Sequence, residues 1–220
     1  MTQAPNVRFL DRKTPPHIIT LILLAGMSAM VLNIFLPSLP KMTAYFDTDY
    51  RFMQLSVALY LLFSGVLQIV IGPLSDKFGR RPVILGGLVG FMFATIGCSL
   101  APTVEVFLFF RMCQAVVATA MVLSRAAVRD MYDQDKAASM IGYVTMGMAV
   151  VPMISPMFGG LLDELFGWKS TFWALFILGG LTLWLAWVDQ GETATKSGKS
   201  LVEQFAEYPE LLTSPRFWGY

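Results

Sequence analysis

Six apolar runs, each long enough to cross roughly 30 Å of hydrocarbon at about 1.5 Å per residue, alternate with short charged or proline-containing breaks. That pattern confines the chain to a bundle of membrane-spanning helices. The runs cover residues 18–39, 52–72, 83–101, 104–128, 137–162 and 170–188. Composition agrees: 55% of residues are hydrophobic and 14% charged, with a mean hydropathy of +0.61, too apolar for an ordinary soluble domain. The lipid bilayer is therefore the first expected partner. A net charge of +1 from 16 basic and 15 acidic residues gives neither sign the dominance that a nucleic acid or acidic macromolecule would require. Cys98 and Cys113 lie inside apolar runs and read as packing residues, not a disulfide framework.

Arg8, Arg12 and Lys13 precede the first run and raise the question of a signal peptide. An uncharged stretch of about 22 residues is too long for a hydrophobic region of roughly 7–15, so a retained helix is expected. Arg8, Arg12, Lys13, Lys77, Arg80, Arg81, Arg125, Arg129, Lys136, Lys196, Lys199 and Arg216 then fall on one side of the membrane, against Lys41, Arg51 and Lys169 on the other. The positive-inside rule puts both ends of the bundle in the cytoplasm.

Between the second and third runs stands Gly72-Pro73-Leu74-Ser75-Asp76-Lys77-Phe78-Gly79-Arg80-Arg81-Pro82, whose charges and helix breakers read as a membrane turn. It resembles the loop signature Gly-x-Leu-x-Asp-x-x-Gly-Arg-Arg/Lys of the major facilitator superfamily, which joins the second and third helices of those transporters. A short echo, Gly160-Leu-Leu-Asp163-Glu-Leu-Phe166-Gly167-Trp-Lys169, follows the fifth run. Three helices between copies put them on opposite membrane faces, as in an inverted repeat of three plus three helices. The expected fold is thus all-α: a polytopic six-helix bundle equivalent to the amino-terminal half of the twelve-helix superfamily fold.

Further matches narrow the resemblance to drug:proton antiporters of the bicyclomycin-resistance (Bcr/CflA) type. Asn33-Ile-Phe-Leu-Pro37-Ser-Leu-Pro40 resembles their proline-ended first helix, and Phe110-Arg111-Met-Cys-Gln114-Ala115 their Arg-x-x-Gln-Gly motif. Ser155-Pro156-Met-Phe-Gly159-Gly160, with Gly147 and Pro152 upstream, resembles the antiporter motif Gly-Pro-x-x-Gly-Gly, and Arg129-Asp130-Met-Tyr132 the cytoplasmic end of the fourth helix. The resemblance implies multidrug efflux by proton-coupled antiport with alternating access, a small amphiphilic cargo, antibiotic resistance and a bacterial inner membrane. It also implies a carboxy-terminal six-helix half as partner.

Arg111 is the one full charge well inside a run, about 10 Å from its start, where charge is rare and usually functional. At 100° per residue, Arg111, Gln114, Ala118, Arg125 and Arg129 share one helix face. Two readings stand: an arginine snorkelling to the outer interface, or one that acts on cargo or on a neighbouring proton carrier. Asn33, Tyr60, Ser64 and Gln68 are candidate cargo contacts, with interhelical hydrogen bonding as the alternative. Met27, Met30, Met146, Met148, Met153 and Met157 suit either an adaptable site or apolar filler. Many relatives of this type carry Asp where this chain has Asn33, and no run holds a carboxylate in its core. Proton coupling therefore needs a group elsewhere, and neutral or weakly anionic cargo fits better than a cation.

Gly72, Asp76, Gly79, Arg80, Arg81, Arg129 and Asp130 are expected to gate, with Arg80 between two carboxylates in a network that one conformation makes and another breaks. Gly147, Pro152, Pro156, Gly159 and Gly160 are expected to let the fifth helix bend and approach a neighbour closely. No metal spacing, phosphate-cradling loop or catalytic constellation is present, so neither an enzyme nor a cofactor is expected. Domain organisation reads as a cytoplasmic segment 1–17, the bundle 18–188, a linker 189–213 and the start of a seventh helix at 214–220, where the chain is cut short. The competing reading is a truncated or half-size membrane protein that must pair with a second bundle before it transports.

Overall fold

Residues 7–194 are described by the computed structural model. Most of the expected linker and the whole of segment 214–220 lie outside the described residues. Every described element is helical: α1 (Ile18–Asn33), α2 (Leu39–Tyr45), α3 (Tyr50–Phe78), α4 (Arg80–Leu100), α5 (Val104–Cys113), α6 (Ala118–Met131), α7 (Gln134–Phe166) and α8 (Lys169–Asp189). Tight three-residue-per-turn segments join α1 to α2 (Leu36–Ser38) and α5 to α6 (Gln114–Val117). The result is six membrane-length units, as the hydropathy pattern requires.

Local chemistry sets the ends. Asp49 begins α3 by accepting a hydrogen bond from the Arg51 amide at 2.8 Å, the usual work of an N-terminal cap. In α1 the Asn33 side-chain amide donates to the Ala29 carbonyl at 2.7 Å, and Pro37 then enters the tight turn that follows. The expected turn over Gly72–Pro82 is much shorter than its composition suggests. Helix α3 runs through Gly72 and Pro73 to Phe78, and α4 starts at Arg80. The Ser75 hydroxyl donates to the Gly72 carbonyl at 2.8 Å, while Pro73 withholds only the one backbone donor that would serve the carbonyl four residues earlier. Gly79 alone reverses the chain, at φ +101°, where a β-carbon would be strained. At the other end of the bundle Gly167 turns α7 into α8 at φ +80°. The two copies of the sequence echo thus end in the same kind of glycine turn.

Helices α1 and α7 pack most intimately. A β-carbon at Gly159 would overlap the Ile34 carbonyl oxygen, and one at Gly147 would overlap the Ile22 side chain. Of the three glycines of the expected hinge, Gly159 thus admits the α1 backbone and Gly147 an α1 side chain, while α7 itself continues unbroken past Pro152 and Pro156. Gly87 meets the Thr119 hydroxyl in the same manner. Towards the α2 end, Phe35, Phe107, Trp168 and Phe172 form a buried aromatic cluster, with Phe107 edge-on to Phe172 at 5.7 Å. Such pairs add about 0.5–1.5 kcal/mol beyond their burial. Lys41 pairs with Asp163 at 3.0 Å beside it.

Burial is uneven among equally apolar spans. The most apolar stretches of the first and fourth units are 56% and 50% buried, whereas those of α3 and α7 are 22% and 11% buried. The first and fourth units form the centre, and α3 and α7 present broad faces that nothing in the described residues covers.

Candidate functional site

Arg111 lies near the end of α5 and is completely buried. Its guanidinium turns inward: Nη1 donates to Gln114 Oε1 at 2.7 Å and Nη2 to the Val31 carbonyl at 2.9 Å. Val31 sits in the last turn of α1, where helix carbonyls lack intrahelical partners. Gln114 Nε2 donates onward to Thr95 Oγ1 at 2.8 Å, and Thr95 to the Phe91 carbonyl at 2.7 Å. The guanidinium carbon stands 4.1 Å from the Phe35 ring centre and 4.5 Å from that of Tyr60. Desolvated cation–π contacts contribute about 2 kcal/mol each, so two ring faces and two charge-assisted bonds offset the loss of water without any carboxylate.

The shared face expected for Arg111, Gln114, Ala118, Arg125 and Arg129 does not survive. The tight segment Gln114–Val117 advances each residue by about 120° and not 100°, a drift of roughly 80° over its length. Arg111 and Gln114 are buried, Arg125 half-buried and Arg129 exposed.

Beside the cage, a cleft of about 290 Å³ opens between α1, α3, α6 and α7. Asn33, Tyr60, Ser64 and Gln68 all line it, joined by Ser28, Met121, Met148 and Pro152. The volume sits at the lower edge of the roughly 300–1,000 Å³ of small-molecule sites, and the lining includes no carboxylate. Arg111 and Gln114 stand behind this wall; Tyr60 separates them from the cleft, with one ring face toward the guanidinium. Of the methionines singled out from sequence, Met148 lines the cleft, while Met146, Met153 and Met157 are exposed on α7.

A second polar group gathers where α3 meets α4. Arg80 Nη1 pairs with Asp76 Oδ1 at 2.7 Å and Arg80 Nε with Asp130 Oδ2 at 3.1 Å, and Arg80 also donates to the Ser75 hydroxyl. Beyond α8, Glu192 caps the start of α4: Oε1 accepts from the Arg80 amide at 2.7 Å and Oε2 from the Arg81 amide at 3.3 Å. A β-carbon at Gly79 would strike this carboxylate, so glycine there serves both turn and cap. Thr193 donates to Asp130 at 3.2 Å, and Arg81 reaches the Trp187 carbonyl at 3.0 Å. Arg129 is outside the cluster's ion pairs, and Gly72 is a helix-interior residue one turn away. Asp189 accepts from the Leu10 and His17 amides at 2.7 and 2.8 Å, tying the amino-terminal segment to the end of α8.

Phe35, Thr95, Glu192 and Asp189 were not foreseen. Glu192 carried a usable signal, since a carboxylate suits a helix start. Its partner is 112 positions away, and no spacing rule reaches so far. Phe35 carried none.

A cleft of mainly apolar wall with a few polar groups, set in a bundle of six spans, is the arrangement of a membrane transporter. Residues 21–220 match the Major Facilitator Superfamily, and the chain belongs to that family. It is 35% identical over 166 residues to the chloramphenicol resistance protein of Pseudomonas aeruginosa, covering 73% of this chain and 40% of that protein. To multidrug resistance protein D of Escherichia coli it is 31% identical over 171 residues, covering 77% and 43% respectively. This chain therefore spans about two-fifths of these relatives' lengths. Among solved structures, a bacterial homolog of the human lysosomal transporter Spinster, in an inward-facing and unoccupied conformation, superposes with a TM-score of 0.71 at 20% identity, over 91% of this chain and 49% of that one.

Proposed function

We propose that this bundle is one half of a multidrug efflux antiporter of a bacterial inner membrane, exporting small amphiphiles by alternating access. The observation that carries the reading is the cleft itself, where a few polar and thioether side chains stand among apolar ones of α1, α3, α6 and α7, flanked by the two least buried spans. Alternating access rocks two bundles about a midplane site, and α3 and α7 supply the apolar faces against which a carboxy-terminal six-helix partner would pack. Drug-resistance proteins among the relatives support the nature of the cargo. Both ends of the bundle lie in the cytoplasm on this reading, as the basic residues require. Protons are the proposed coupling ion, and their carrier belongs to the partner half, because this cleft has no carboxylate.

The Arg80 cluster, with Asp76, Asp130 and the Glu192 cap, is the proposed cytoplasmic gate, and Gly147, Pro152, Pro156, Gly159 and Gly160 the seam on which α7 moves against α1. The test is drug accumulation in everted membrane vesicles carrying this bundle alone or together with a second bundle, with and without an imposed pH gradient. Uptake that needs both the second bundle and the gradient is expected. Gradient-independent drug movement would remove the antiport reading. Transport by the lone bundle would remove the half-transporter reading.

A further inference from the structure

Arg125 lies on α6, which ends at Met131, and so stands about 9 Å inside the helix. It is half-buried. Nη2 reaches only the Met148 sulfur, at 3.8 Å, a weak acceptor, and Nε is buried without a partner. Ion pairs among the described residues are Lys41–Asp163, Arg80–Asp76 and Arg80–Asp130. Among the described residues Arg125 therefore has no carboxylate, and no aromatic face of the type that cages Arg111. A half-buried guanidinium with a thioether as its one polar contact has donors left over for an anion.

Its surroundings say where that anion comes from. Met121, one turn away on the same helix face, and Met148, the residue Arg125 touches, both line the central cleft. Arg125 thus stands just outside the lining, against Met148, beside a cleft whose mainly apolar walls offer a few hydroxyls, amides and thioethers but no negative charge. Behind the Tyr60 wall, Arg111 adds a second cation without a counter-charge. We propose that Arg125 anchors an oxyanion carried by the cleft's occupant, so that the site selects amphiphilic organic anions over organic cations. The planar guanidinium fork suits two-oxygen recognition of carboxylate, sulfonate or phosphate, while the methionines adapt to the variable apolar body. This inference rests on reading the cleft as the cargo site.

The experiment compares two fluorescent probes with the same ring, a naphthalene sulfonate and a naphthyl trimethylammonium, binding to the chain in phosphatidylcholine nanodiscs. The sulfonate is expected to bind about tenfold or more tightly than the ammonium. R125Q should erase that advantage and R125K keep part of it, with unfolding midpoints measured alongside. Should R125Q fail to fold, Q68E places a carboxylate in the same cleft and should reverse the preference. Equal or tighter binding of the ammonium by the unaltered chain would overturn the proposal. So would sulfonate affinity unchanged in folded R125Q, which would assign the guanidinium to a fixed carboxylate of a partner bundle. If sulfonate binding depends on Arg125 while the vesicles show no export, the anion site stands and the efflux reading falls.

Discussion

Arg111 and Arg80 solve the same physical problem in opposite ways. Arg111, wholly buried, is held by two ring faces, a main-chain carbonyl and a glutamine. Arg80, at the bundle edge, is held by two carboxylates, one of them on a side chain 44% exposed. The cage presents dipoles and π-clouds, which cannot leave without dismantling α1, α3 or α4. The edge cluster presents mobile charges that water can replace at little cost. A static cation in the centre and an exchangeable one at the rim is the arrangement expected of a bundle that keeps its shape while its edge makes and breaks contacts.

The largest effect should come from Arg111→Ala, which orphans Gln114 and the Val31 carbonyl and leaves a void between Phe35 and Tyr60. A loss of about 3–5 kcal/mol is expected, read as a collapse of the unfolding midpoint in detergent; a midpoint near that of the unaltered protein would mean the cage contributes nothing. Tyr60→Leu removes one ring face and should cost about 2 kcal/mol. Tyr60→Phe keeps that face and gives up a buried hydroxyl beside Ser28, so it should move the midpoint by no more than about 1 kcal/mol. Gln114→Ala strips one acceptor from the guanidinium and should cost about 1–3 kcal/mol.

Smallest in stability, and largest in transport, are changes at the rim. Asp76→Asn should move the midpoint by less than about 1 kcal/mol, given the exposure of the pair. Charge reversal of Asp76 or Arg80 should abolish flux while insertion stays intact; undiminished flux would remove the gate. Salt separates the two regions without mutation. Raising ionic strength from 0.1 to 1 M shortens the screening length from about 10 to 3 Å, which should erase the small stability difference between Asp76→Asn and its parent. The same change should leave the Arg111→Ala difference intact.

Where each helix would end proved harder to read than that it would exist. Gly72 and Pro73 read as a turn, yet α3 carries through them to Phe78, since one proline withholds a single backbone donor, and the reversal fell to Gly79 alone. The polar stripe from Arg111 to Arg129 followed from an ideal helix period, and four tightly wound residues rotated its lower half away. Asn33, Tyr60, Ser64 and Gln68 did converge on one cleft, since their positions on two apolar helices left few places for polar groups to go.

Hydropathy is a property of neighbours along the chain, so the sequence by itself determined six spans, the membrane as solvent and the presence of an arginine well inside one span. Which groups answer each charge is a matter of contacts across the bundle: Val31 meets Arg111 over 80 positions and Glu192 meets Arg80 over 112. Those partners, the covered and uncovered faces of equally apolar helices, and the unanswered cation at Arg125 were decided only when the helices packed, because no local pattern encodes which distant surface each one meets.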